Sequence, residues 1–148
     1  MNQRILRYLA AVAIAVSAGD VDPAPRLEQV PENVLADVVG ELDGPDVEEQ
    51  DRWRMLALLS GDIRPAVHKR VARAVNHLLD HGTPFERVEM VAEWATAQCE
   101  GQRAVIADVL AQRREAIGDL ALEHLAVDPS PLVRQRARRA RRHGALTG

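Results

Sequence analysis

Apolar residues recur along this chain at helical spacing, and the recurrence is cut at intervals by Gly, Pro, Asp and Ser. Ile5, Leu9, Val12 and Val16 fall at i, i+4, i+7 and i+11, one face of a first helix. Gly19–Pro25 is a loop by composition, and Pro31-Glu32-Asn33 then opens a short helix through about Leu42, ended by Asp43-Gly44-Pro45. Residues 46–59 carry Val47, Trp53, Leu56 and Leu59 on overlapping helical faces. Gly61–Pro65 breaks that helix, and Pro65 suits the first turn of the next, where a missing N–H costs nothing. The new helix runs to about His81, with Val67, Val71, Ala74 and Leu78 as its inward stripe. Thr83 caps a helix over Pro84–Gln98 whose apolar positions are Val88, Val91, Ala92 and Ala95. Gly101 breaks the chain again and a helix begins at Ala104; Arg113–Asp119 reads equally as a short break or a continuation. A helix over Ala116–Ala126 is followed by a turn at Val127–Pro131, where Ser130 is a good N-cap. The last helix runs to about His143, with Gly144 as its C-cap. No segment reads as a strand.

Two of these segments echo one another. Laid over Leu122–His143 at an offset of 66, Leu56–His77 matches at nine of 22 positions, among them Leu59/Leu125, Asp62/Asp128, Pro65/Pro131, Val67/Val133, Ala74/Ala140 and His77/His143. Helix pairs are expected to begin near 46, 84 and 115, so the period is about half that offset and the echo skips one degenerate repeat. One such pair cannot cover its own apolar face, so each must stack on its neighbours. The expected organisation is one all-α domain over 1–148, of about eight helices. Residues 1–45 form a divergent leading pair, and 46–81, 84–113 and 115–143 form the repeats.

Composition agrees with close-packed helices: 47% apolar, 28% charged and only 3% aromatic residues, where strands would recruit Tyr, Phe and Ile. The net charge of −3 argues against a generic nucleic-acid binder but hides a gradient. Eleven acids and one base lie between Asp20 and Asp51, while Arg134–Arg142 holds six Arg and no acid. Such asymmetry expects an oriented partner, or two ends that meet. The single cysteine, Cys99, excludes an intramolecular disulfide and a Cys-cluster zinc site. The amino terminus has two readings. Arg4 and Arg7 before the uncharged Tyr8–Ala18 suit a secretory signal over 1–18, whereas the helical apolar pattern suits a buried first helix of a cytoplasmic chain, the reading adopted here. No stretch is long enough to span a bilayer.

The segments GDIRPAVHKRVARAV and VDPSPLVRQRARRA resemble HEAT repeats, particularly the short bacterial kind. The matching positions are Asp62 and Asp128, Pro65 and Pro131, Val67 and Val133. The resemblance is good over 54–80 and 120–143, weak over 84–113 and absent before 45, and the signature residues of tetratricopeptide and ankyrin arrays are missing. It implies a right-handed α-solenoid of antiparallel helix pairs acting as an adaptor or scaffold. In that family the turn Asp commonly pairs with an Arg early in the second helix of its own or a neighbouring repeat. Arg134 matches that Arg, and His68 departs from it.

The arginine helix is the most function-like feature. Arg134, Arg136, Arg138, Arg139, Arg141 and Arg142 cover most of its circumference and leave Val133, Ala137 and Ala140 as a narrow apolar stripe. Arg forks can hold carboxylate or phosphate; the alternatives are a solvated end cap or pairing with the acidic segment. Arg70, Arg73, Arg134, Arg136, Arg139 and Arg142 are the expected partner contacts, because the repeat places equivalent charges on successive helices. His77 and His81, at i, i+4, can share a metal, yet His77 recurs as His143 and His suits helix C-termini, so a structural role is expected and no metal or cofactor. Glu86, Glu89 and Glu93 are expected on a solvated face, Cys99 as a small buried filler, and Trp53 and Trp94 in the core. The expected function is a non-enzymatic protein-binding adaptor for an acidic surface. The alternatives are a phosphate-contacting nucleic-acid module and an enzyme of the base-excision type, which needs an acid and an aromatic converging in a cleft.

Overall fold

The computed structural model describes residues 30–42, 47–62, 64–113 and 116–147, residue 116 and the last six by backbone alone. The described residues form seven helices and no strand: α1 Glu32–Glu41, α2 Glu49–Leu59, α3 Pro65–His81, α4 Pro84–Ala95, α5 Glu100–Leu110, α6 Ala116–Leu125 and α7 Pro131–Thr147. The apolar run before Gly19 and the loop after it lie outside the described residues. The chain divides into two compact units, Met1–Ala74 and Val75–Gly148, with the division inside α3.

In the first unit the core is built from Leu35, Val38 and Val39 of α1, Leu56 and Leu59 of α2, and Val67 and Val71 of α3. Polar groups at the helix ends fasten these elements. The Arg52 Nε donates to the Leu42 carbonyl just past the end of α1. Glu32 Oε1 accepts the Ala66 amide at 2.9 Å, placing a carboxylate at the positive end of α3.

The second unit is centred on α5. Gly101, Ala104–Ala107, Val109 and Leu110 are all buried, a helix apolar on nearly every side. It packs on α4, α6 and α7, most extensively on α7, whose facing stripe is Val133, Ala137 and Ala140, as the pattern predicts. Small residues on that stripe permit close approach. A Cβ added at Gly118 of α6 would stand 3.2 Å from Leu110 Cδ2 of α5, so this helix contact also depends on a missing side chain.

Several boundaries differ from expectation. Gly101 does not break the chain but sits in the first turn of α5, which starts four residues before Ala104. Helix α4 stops at Ala95 rather than Gln98, where Thr96 turns its hydroxyl back onto the Ala92 carbonyl at 2.8 Å. Its inward face is Val91, Trp94 and Ala95, leaving Val88 and Ala92 exposed, because burying the indole outweighs burying a valine. The stretch after α5 is a break, with turn bonds from Gln112 to Val109 and Arg113 to Leu110. Helix α7 runs through Gly144 to Thr147, since Ala145 and Leu146 are strong helix formers.

Candidate functional site

The two echoing turns share a set of hydrogen bonds at their described residues. Asp62 Oδ1 accepts the Arg64 amide at 2.9 Å, and Asp128 Oδ1 accepts the Ser130 amide at 2.9 Å, an Asx turn in each case. The preceding helix ends in the same ladder, Asp62 to the Leu59 carbonyl and Asp128 to the Leu125 carbonyl. The following helix opens in the same way, His68 to the Arg64 carbonyl and Arg134 to the Ser130 carbonyl, both 3.0 Å. Pro65 and Pro131 take the first position of α3 and α7, and Val67 and Val133 are each wholly buried two residues on.

The caps are met differently. Ser130 Oγ accepts the Val133 amide at 3.4 Å and donates to Glu100 Oε2 at 2.7 Å. Arg64 occupies the cap position of α3 and has no acceptor side chain, and Glu32 supplies the carboxylate there instead. Both aspartates are buried, and each is forked by a guanidinium. Arg64 binds Asp62 from within the same turn at 2.6 and 3.0–3.1 Å. Arg103, the fourth residue of α5, binds Asp128 at 2.8 and 3.1 Å and gives Nη1 to the Ala97 and Gln98 carbonyls at 2.7 and 3.0 Å. Burial pushes the Asp128 carboxyl up, but the Ser130 amide, Arg103 and the charge of His124 outweigh it and hold it below its ordinary value. Arg134 does not take the carboxylate; its Nη1 donates to the Asp128 and Pro129 carbonyls at 2.7 and 3.0 Å. Arg103 does not stand out in the sequence, because the pattern there predicts a helix beginning one residue beyond it, at Ala104.

The expected partner contacts separate into two kinds. Arg136 reaches Asp108 of α5 at 3.1 Å, and its repeat equivalent Arg70 has Nη1 beside Gly40 of α1. Arg136 thus serves the fold as well as the surface, while Arg70 is exposed. The next equivalent pair, Arg73 and Arg139, is exposed, as are Arg138 and Arg141. Among the described residues no carboxylate pairs with Arg138, Arg139 or Arg141. The Arg142 side chain lies outside the described set.

Of the remaining candidates, Glu86, Glu89 and Glu93 are exposed on α4 as expected. Trp94 is buried and Trp53 half-buried. Cys99 is not a buried filler; it is half-buried at the N-cap position of α5. Phe85 and Val88 are exposed at i, i+3 on α4, and Leu120 of α6 and Val127 in the turn after it are also exposed. His77 and His81 are exposed on the last turn of α3, their Nε2 atoms 3.1 Å apart. Asp80 between them meets Arg113 Nη1 at 2.6 Å, and that hydrogen bond holds its carboxyl below the usual range. Among the described residues no three His, Cys, Asp or Glu side chains group as metal ligands, and no helix is long and apolar enough to cross a membrane. No family model, curated protein or solved structure matches the chain.

Proposed function

We propose that this protein is a HEAT-like adaptor that binds the acidic surface of another protein through the solvent face of α7. The observation that carries the reading is how the arginines of α7 are sorted. Arg134 and Arg136 are held within the fold, whereas Arg138, Arg139 and Arg141 are exposed and have no carboxylate partner among the described residues. A helix anchored by a buried stripe on α5 holds its free guanidinium groups in fixed register, which suits planar recognition of carboxylates. The repeated turn supports the HEAT-like part of the reading, because a duplicated helix–turn–helix unit serves stacking. A protein partner is preferred to nucleic acid because no aromatic side chain lies among these arginines to stack on bases.

The test is capture of a partner from the native cell by the full chain and by R138E/R139E. Arg136 is left alone because a carboxylate there would face Asp108 and disturb the fold. The double variant is expected to keep its thermal midpoint and lose at least about tenfold in affinity, the scale of 1.4 kcal/mol. Undiminished capture by the variant removes the proposal. Capture abolished by nuclease, with affinity falling steeply with salt, transfers the surface to nucleic acid.

A further inference from the structure

We propose that His77 and His81 form a two-imidazole chelate for a late first-row divalent cation of the Zn²⁺, Ni²⁺ or Cu²⁺ class. The inference is independent of the adaptor reading. The i, i+4 spacing puts both side chains on one face, and the fold adds what spacing alone cannot supply, the orientation of the rings. The Nε2 atoms are 3.1 Å apart while the ring centroids are 4.4 Å apart, with the planes at 87°. The nitrogens are thus closer to one another than the ring centres are, so each ring turns its Nε2 edge toward the other. Two nitrogens bound to one ion at about 2.0–2.1 Å would stand about 3 Å apart at an angle between square and tetrahedral. The pair already has that spacing.

The surroundings favour a cation. The site lies on the last turn of a 17-residue helix, whose carbonyl end carries negative potential. Asp80, on the same face, is held as a carboxylate by Arg113, which also donates to Asn76 Oδ1 at 3.0 Å. That guanidinium occupies Asp80 as a partner, so the imidazoles are the donors and water completes the shell. Borderline nitrogen donors without side-chain oxygen ligands select zinc, nickel or copper over magnesium or calcium. With the ring proton of each imidazole on Nδ1, both Nε2 lone pairs are available to the ion.

Titration calorimetry of Ni²⁺ into the untagged full chain tests the site. One ion per chain is expected to bind. H77A and H81A should each weaken it about a hundredfold, since a chelate gains at least that much from its second arm. H124A, which alters an exposed histidine on α6, should change nothing. Both replaced side chains are exposed, so helicity should stay at the parent level, which circular dichroism checks. Imidazole ¹⁵N spectra with Zn²⁺ should show the Nε2 resonances of both rings shifting together. The proposal is overturned by absence of saturable binding, by parental affinity in either H77A or H81A, by a shift confined to one ring, or by displacement with excess Mg²⁺.

Discussion

Replacing Arg103 with Ala is expected to cost about 3 kcal/mol of stability, and replacing Arg64 with Ala only about 1 kcal/mol. Each guanidinium forks the buried aspartate of one of the two echoing turns, so the equivalence of Asp62 and Asp128 alone would predict equal costs. The difference lies in reach and burial. Arg64 is 26% exposed, and the aspartate that it forks lies two residues away in the same turn. Arg103 is 15% exposed and joins three segments: its own helix, the 97–98 carbonyls, and Asp128, which is 4% exposed and 25 residues distant. Without it, two carbonyls lose a donor and a buried carboxylate keeps the Ser130 amide but loses its counter-charge. Urea titration should show the midpoint shift with an unchanged slope. A loss at Arg103 no greater than at Arg64 would mean that the long-range clamp adds nothing. The pH dependence follows the same residue. Because the folded Asp128 carboxyl sits below its ordinary value, its contribution is present above the unfolded value of about 4 and is lost as pH falls through the folded one. The parent should therefore lose more stability than R103A between about pH 5 and pH 3.

Trp94→Ala is expected to cost about 4 kcal/mol, a large share of the 5–15 kcal/mol typical of a whole domain. The indole is 2% exposed and is the largest wholly buried side chain of the chain's described residues. Its loss opens a cavity beside helices already in close contact through alanine and glycine, which have no longer side chains to collapse inward. Trp53, half-buried on α2, should cost less than half as much when replaced by Ala. Thermal melts of both variants, followed by far-ultraviolet dichroism, decide the matter. Equal losses would show that Trp94 is not the organising residue of its unit.

What could be read from the sequence was local chemistry. Pro65 and Pro131 at helix starts, Thr83 and Ser130 as caps, and the stripes Val67–Leu78 and Val133–Ala140 depend on residues within one or two turns of each other. The misreadings arose where tertiary packing decides. Gly101 resembles a breaker, yet a helix enclosed on several sides gains enough from burial to carry a glycine. The inward face of α4 is set by one tryptophan rather than by its valines. The pairing of Asp128 with Arg103 spans 25 residues and follows no spacing rule, while Arg134, which matches the family position, serves backbone carbonyls. In the candidate site, the sequence identified the arginine helix but could not distinguish the arginines bound inside the fold from those left to solvent. That sorting depends on where Asp108 stands on α5.

Amide hydrogen exchange at Arg64 and Ser130 tests most directly whether one turn is built twice in this chain, 66 residues apart. Each amide donates to an aspartate two residues earlier at 2.9 Å, so both should exchange slowly. D62A should release Arg64 alone and D128A should release Ser130 alone. An Arg64 amide that exchanges as fast as an unfolded chain while Ser130 stays protected would show that the two segments share residues but not a structure.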